Sequence, residues 1–255
     1  MLRIIKYILL DILQNRMVIG YTLFLLAVSI GLFNLSDDPT KGLVSLLNIV
    51  LIVAPLVSIV FSTIHFYNSY EFIELLAAQP LRRSIILWSE FWGLVIALTL
   101  SVVVGIGIPI MLFAPGGTGF ALLAASVGLT VVFISIAMLA SVRTRDKAKG
   151  IGVVLMLWFF FALLYDALVL ILMFMLSDYP LEKVMLAFVS INPIDLARVT
   201  VLLQMDIAAL MGYTGALFRE FLGTGYGIAF ASGVLLLWAI LPMWAAARIF
   251  KRKDL

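Results

Sequence analysis

Six stretches of this chain, at 17–35, 44–64, 85–113, 120–140, 150–176 and 227–249, run almost without charge. Only Glu90, Asp166 and the terminal Arg248 interrupt them. Each reaches the roughly 20 apolar residues that a helix needs to cross a hydrocarbon core of about 30 Å. A water-soluble domain is about half apolar and a quarter charged. Here 64% of the 255 residues are hydrophobic and 12% are charged, so lipid is the simpler solvent for these runs. In lipid every backbone N–H and C=O must be satisfied internally, and runs of this length do so as α-helices. Six spans and their connections fill residues 1–255 as a single all-α transmembrane domain, with no room for a separate soluble domain.

The connections sort by charge. One side receives Arg3, Lys6 and Arg16, then Arg82 and Arg83, then the "RTRDKAK" run at 143–149, and finally Arg248, Lys251, Arg252 and Lys253. Of the 17 Lys and Arg, only Lys41, Lys183, Arg198 and Arg219 fall on the other side, beside seven acids: Asp37, Asp38, Asp178, Glu182, Asp195, Asp206 and Glu220. Lys and Arg concentrate in the cytoplasmic loops of membrane proteins. Both termini are therefore expected inside the cell. The basic residues sit in short loops and form no nucleic-acid patch.

Ahead of the first span, residues 2–14 read "LRIIKYILLDILQ". At 100° per residue Arg3, Lys6, Asp11 and Gln14 share one arc and apolar side chains cover the rest, the pattern of an interfacial helix. An elbow leading into the first span is expected. A cleaved signal peptide is not, because Asp11 interrupts the apolar region and no small-residue cleavage site follows.

The chain has no Cys and one histidine, His65, which excludes thiolate chemistry, Cys-ligated metals and any multi-His site within one chain. Met173, Met175, Met185, Met205 and Met211 offer thioethers of the kind that bind Cu(I). Methionine also fills gaps in apolar packing, and that is the preferred reading, so no metal site is expected. No nucleophile has a base at hand, and no catalytic residues are expected. The glycine-rich "FAPGGTGF" at 113–120 lacks the Lys of a phosphate loop and reads as a tight external turn.

Charge inside a span is costly, about 2.5–3.5 kcal/mol on insertion scales. Two such residues stand out. Asp166 is expected either to face a bundle interior or subunit interface and line a path, or to be a protonated or hydrogen-bonded packing residue, with Tyr165 as a partner. Glu90 is expected to snorkel or to pair with Arg82 or Arg83. The connection at 177–226 is the longest in the chain. Within it Asn192 suits a helix cap and Pro193 a first turn. Amphipathic helices at the outer interface, or a platform for an outer partner, are expected there, with Asn192, Pro193, Asp195, Arg198 and Asp206 as contact residues.

The stretch "IELLAAQPLRRSIILWSEFWG" at 73–93, between spans two and three, resembles the signature of ABC-2 type transporter permeases. Glu74, Leu75, Leu76, Ala78, Gln79, Pro80, Arg83, Ser84, Ile86, Leu87, Phe91 and Gly93 match in register. The family's acidic run just before is replaced here by "HFYNSYEF". The order of elbow, six spans and long outer loop also matches. The resemblance implies a cytoplasmic coupling helix that docks on a separate ATP-binding subunit, with Glu74, Leu75, Leu76, Gln79, Pro80, Arg82 and Arg83 at the contact. ATP and Mg would then be held by that subunit, and this chain would have no cofactor and no catalysis of its own. Residues 192–223 further resemble the outer segment of the permeases that serve nitrous oxide reductase maturation. That implies a homodimer in the bacterial inner membrane, two ATPase subunits inside, and a periplasmic β-helix protein outside in a copper-handling assembly.

Overall fold

The computed structural model describes residues 2–77, 82–175, 182–205 and 225–252, and among them every regular element is helical. The first helix, α1 (Leu2–Leu13), is separate from the first span. Its Ile8 and Ile12 are buried while Lys6 and Asp11 are exposed, as its periodicity predicts. Asn15 then starts α2 (Arg16–Leu35), its Oδ1 accepting from the Met17 N–H at 2.9 Å. Asp38 caps α3 (Pro39–Asn68) in the same way, with Pro39 in its first turn. These caps satisfy N–H groups that a helix start leaves unpaired.

A short α4 (Tyr70–Ala77) follows α3. The third span comprises α5 (Arg83–Val102), one π-helical turn at Val103–Gly107, and α6 (Ile108–Phe113). After a tight turn comes α7 (Gly117–Arg143). The fifth span is α8 (Lys147–Phe159), a second π turn at Phe160–Leu164, and α9 (Tyr165–Met175). Then come α10 (Glu182–Ile191), α11 (Pro193–Gln204) and α12 (Gly225–Arg252). Among the described residues six helical stretches are long and apolar enough to cross a membrane: Arg16–Leu35, Pro39–Asn68, Arg83–Phe113, Gly117–Arg143, Lys147–Met175 and Gly227–Arg252. They contain the six apolar runs almost entirely and extend beyond most of them. At 1.5 Å per residue the 30 residues of α3 reach roughly 45 Å, so its ends pass beyond the hydrocarbon into the headgroup layers.

The centre of the bundle is α7, which touches α3, α5, α8, α11 and α12. Its buried Ser126, Thr130, Ser135 and Ser141 each donate to a carbonyl four residues back. Those hydroxyls are thereby satisfied without a partner helix, and α7 can be polar in composition yet apolar in contact. Between helices in lipid the drive to associate comes from close packing, and small residues permit it. Two glycines show this directly. A Cβ on Gly105, in the first π turn, would stand 2.6 Å from Leu25 Cβ on α2. A Cβ on Gly93 would stand 2.5 Å from Ile8 Cγ2, so the last glycine of the signature is where α1 lies against α5.

This contact predicts opposite signs for two equivalent substitutions. Gly20 on α2 has open space around it. Gly20→Ala should raise stability by about 0.5–1 kcal/mol, the ordinary helix gain. Gly93→Ala should lower it by about 1–3 kcal/mol through overpacking against Ile8. Thermal unfolding of the purified chain in detergent reads both.

Candidate functional site

The residues singled out in the sequence gather at two levels of the bundle. At the membrane face that carries the N-terminus, α4 bridges the end of α3 and the start of α5. Its apolar side is turned in: Ile73 is fully buried and Leu76 nearly so. Glu71, Phe72, Glu74 and Leu75 are exposed, Leu75 at 68%. The helix therefore presents two carboxylates and two large apolar side chains outward on a short, lightly held segment. Arg82 is exposed and stands at the start of α5, and Arg83 is half-buried in its first turn. Gln79 and Pro80 lie outside the described residues.

Beneath α4 the structure differs from expectation at Glu90. This carboxylate is 1% exposed, and its Oε2 lies 3.3 Å from His65 Nε2 rather than reaching an arginine. Two turns into α5, Glu90 points across to the last turn of α3, and Arg82 and Arg83 stand at the mouth of the helix. Ser69 Oγ also approaches the same ring nitrogen, at 3.4 Å.

The second level lies in the middle of the fifth span. In the π turn at Phe160–Leu164 the Tyr165 N–H bonds to Phe160 O, five residues back, so Phe161 O loses the donor that an α-helix would give it. Asn192 Nδ2 fills that vacancy, donating to Phe161 O at 2.9 Å. Asn192 stands between α10 and α11 and is fully buried. Its Oδ1 accepts from the Ile194 N–H at 3.0 Å, so the cap expected for α11 is present, with Pro193 in the first turn. Tyr165 donates its hydroxyl to Phe188 O at 2.6 Å. Phe161 is the midpoint of the span Lys147–Met175. The α10–α11 hairpin is thus re-entrant: its tip reaches the depth of the middle of the fifth span.

The charges follow the same fold. Arg198 Nη1 bonds Asp166 Oδ2 at 2.9 Å and Asp195 Oδ1 at 3.3 Å. Asn192 Nδ2 also donates to Asp195 Oδ2 at 2.9 Å. Arg198 and Asp166 are each one-third exposed and Asp195 less so. Asp166 is therefore joined to α11 through Arg198, a partner beyond the Tyr165 named for its packing role. Of the outer contact residues expected, Asn192 and Pro193 are buried and Asp195 nearly so, while Arg198 keeps one-third of its side chain exposed, because α11 packs Pro193, Ile194, Leu196, Ala197, Val199, Val201 and Leu203 against the spans. Asp206 lies outside the described residues. No group of three or more His, Cys, Asp or Glu that could hold a metal occurs among the described residues.

Sequence reasoning missed His65 as the partner of Glu90 and Asn192 as the partner of the fifth span. The signal for the first was present: a lone histidine at the end of one span and a lone glutamate two turns into the next, on the same face of the membrane.

Six spans, a separate helix before the first, and a short exposed helix between the second and third make this a multi-pass membrane protein. The chain belongs to the ABC-2 family transporter proteins, whose family model matches residues 4–255. A curated relative is the probable ABC transporter permease protein NosY of Pseudomonas aeruginosa, 27% identical over 260 residues covering 94% of this chain and 91% of that one. The resemblance read from residues 73–93 thus holds at the level of the family.

Asn192 performs two tasks, and a comparison with Asn15, which caps α2 alone, separates them. Asn15→Ala should cost about 1 kcal/mol. Asn192→Ala should cost about 2–4 kcal/mol, because it also leaves Phe161 O buried without a donor. Equilibrium unfolding in mixed micelles measures the difference.

Proposed function

We propose that this chain is the membrane half of an ATP-driven machine whose motor is a separate ABC ATPase, and that α4 is where the motor docks. One observation carries the reading: the family match over 4–255 coincides with a short helix between spans two and three whose outer face is charged and apolar. Amphipathic helices of this kind fit grooves on soluble partners. With the basic loops inside, the N-terminal face and both termini are cytoplasmic, in the bacterial inner membrane. Two copies of the chain and two ATPase subunits make the working unit, and ATP with Mg is held by the ATPases. The chain itself is non-catalytic.

Motion at α4 has a short path to the other face. The helix rests on the ends of α3 and α5, both of which touch α7, and α7 touches α11 in the re-entrant hairpin. Through that hairpin ATP hydrolysis inside would move the outer surface. The likeness to NosY, and that of residues 192–223 to permeases of nitrous oxide reductase maturation, support a finer reading. The outer surface would then work on a periplasmic β-helix protein that handles copper for that enzyme. Asn192, Pro193 and Asp195 being largely buried, the contact with this partner is assigned to Asp206 and the exposed part of Arg198.

A second reading is a generic ABC-2 exporter of a lipid, drug or polysaccharide. An apolar groove of about 570 Å³ between α2, α3 and α8, lined by Tyr21, Phe24, Val57 and Leu155 among others, favours it. Deletion of the gene separates the two. Loss of copper from nitrous oxide reductase with no lipid or drug phenotype supports the first, and the converse supports the second.

The docking assignment has a direct test. Glu74→Arg with Leu75→Asp changes only exposed side chains, so insertion and folding should be unaffected. Co-purification of the ATPase should fall by about tenfold or more, as expected when an interface anchor is lost. Full recovery of the ATPase with the double variant would sink the assignment.

A further inference from the structure

A cavity of about 340 Å³ opens at the membrane face that carries the N-terminus, walled by α1, the end of α3, α4 and the second turn of α5. Tyr7, Asp11, His65, Ser69, Phe72 and Glu90 are among its lining residues. Two features set it apart from a packing fault. It is more polar than the groove between α2 and α3, with two carboxylates and a histidine in a lining that is otherwise largely apolar. It also contains the deeply buried Glu90, neither of whose carboxylate oxygens receives a hydrogen bond. Among the described residues its nearest polar contact is His65 Nε2 at 3.3 Å, and Ser69 Oγ approaches the same nitrogen. A buried carboxylate without a donor calls for an explanation, and a missing ligand is one. Among the described residues that line the cavity none is a lysine or arginine; Lys147 Nζ donates to Oδ1 of the lining Asn68 at 2.7 Å.

We propose that this cavity binds a primary ammonium group, with Glu90 as its deep acceptor and Asp11 at the rim. The volume is roughly ten times a water's share of the liquid, about 30 Å³, so a bare ion or a single water leaves most of it empty. An ammonium supplies three N–H donors, enough for both oxygens of Glu90 and for one further acceptor. A quaternary ammonium would find the rings of Tyr7 and Phe72, but it has no N–H and leaves Glu90 as it is. The depth selects the source. His65 lies in the last turn of one span and Glu90 two turns, about 10 Å, inside the next, where the headgroup layer meets the hydrocarbon. The headgroup of phosphatidylethanolamine presents its ammonium there on a two-carbon arm. An occupant would tie α1 and α4 to the third span. The inference needs the membrane position of the spans but not the identity of the ATPase or of the outer partner.

Native mass spectrometry of the delipidated full-length chain tests this. The chain is titrated with phosphatidylethanolamine, phosphatidylcholine and phosphatidylglycerol of the same acyl composition. The ethanolamine lipid should bind about tenfold tighter or more than the other two, the gain expected from charged hydrogen bonds. Glu90→Gln should abolish that preference. Asp11→Asn, on the exposed rim, should weaken it severalfold, and it decides the matter alone if Glu90→Gln fails to fold. Free ethanolamine forms a separate arm. Binding to the wild type that Glu90→Gln removes would assign the site to a soluble amine, and no binding would assign it to the lipid. Equal retention of the three lipids together with no binding of free ethanolamine would overturn the proposal. So would a preference unchanged in Glu90→Gln or, where that variant does not fold, in Asp11→Asn.

Discussion

A carbonyl that loses its helical donor in the middle of a membrane must find another, and the outer half of this bundle is built around one such carbonyl. The π turn at Phe160–Leu164 deprives Phe161 O of its ordinary partner, and Asn192 Nδ2 replaces it. Left unmet, a buried carbonyl costs about 1–3 kcal/mol, a large fraction of a stability that is typically 5–15 kcal/mol. The replacement donor comes from a residue 31 positions away, so satisfying the span means bringing the α10–α11 hairpin down to mid-depth. Once there, the hairpin needs apolar contact along α11, and α7 and α12 supply it. It also places Arg198 beside Asp166, so a carboxylate that would be expensive in lipid alone meets a cation at 2.9 Å. The hairpin and the fifth span each make the other possible.

The two intramembrane acids thus act alike in form and differ in setting. Asp166 is one-third exposed and shares a guanidinium with Asp195, a three-residue network whose members hold each other's geometry. Glu90 is almost fully buried and, among the described residues, meets a histidine, with both oxygens short of donors. Removing one member of a buried charged pair is typically more damaging than the pair is stabilising. The first network therefore fastens the hairpin to its span. The second is incomplete within the chain, and it sits where α1, α3, α4 and α5 converge.

Much of this was legible in the sequence, and the parts that were legible share a cause. The six spans followed from uncharged runs of sufficient length, α1 from its 3.6-residue periodicity, and the start of α11 from Asn192–Pro193. All of these are local, set by residues within a few positions of one another. The register of residues 73–93 identified the family, because a docking signature is also local. What escaped was set by contacts across the fold. Glu90 was expected to meet the nearby arginines, but its partner lies 25 residues earlier on another helix. Asn192, Asp195 and Arg198 were expected to face an outer partner, because polar residues in a long loop ordinarily face water. Nothing in their spacing tells that the loop dives into the bundle. The π turn that draws them in has no marker in "FFALL".

The depth of the hairpin is the claim on which the outer half of this account stands, and it can be measured directly. The chain has no cysteine, so single nitroxide labels can be placed without background. Ile191→Cys at the hairpin tip and Leu163→Cys in the fifth span replace side chains that are each 51% exposed. Asp37→Cys marks the loop before α3. In lipid bilayers, electron paramagnetic resonance with oxygen and a water-soluble nickel chelate as relaxants reports depth. The account predicts that the label at 191 matches the label at 163, rich in oxygen contact and shielded from the chelate. A label at 191 as open to the chelate as the label at 37 would contradict it.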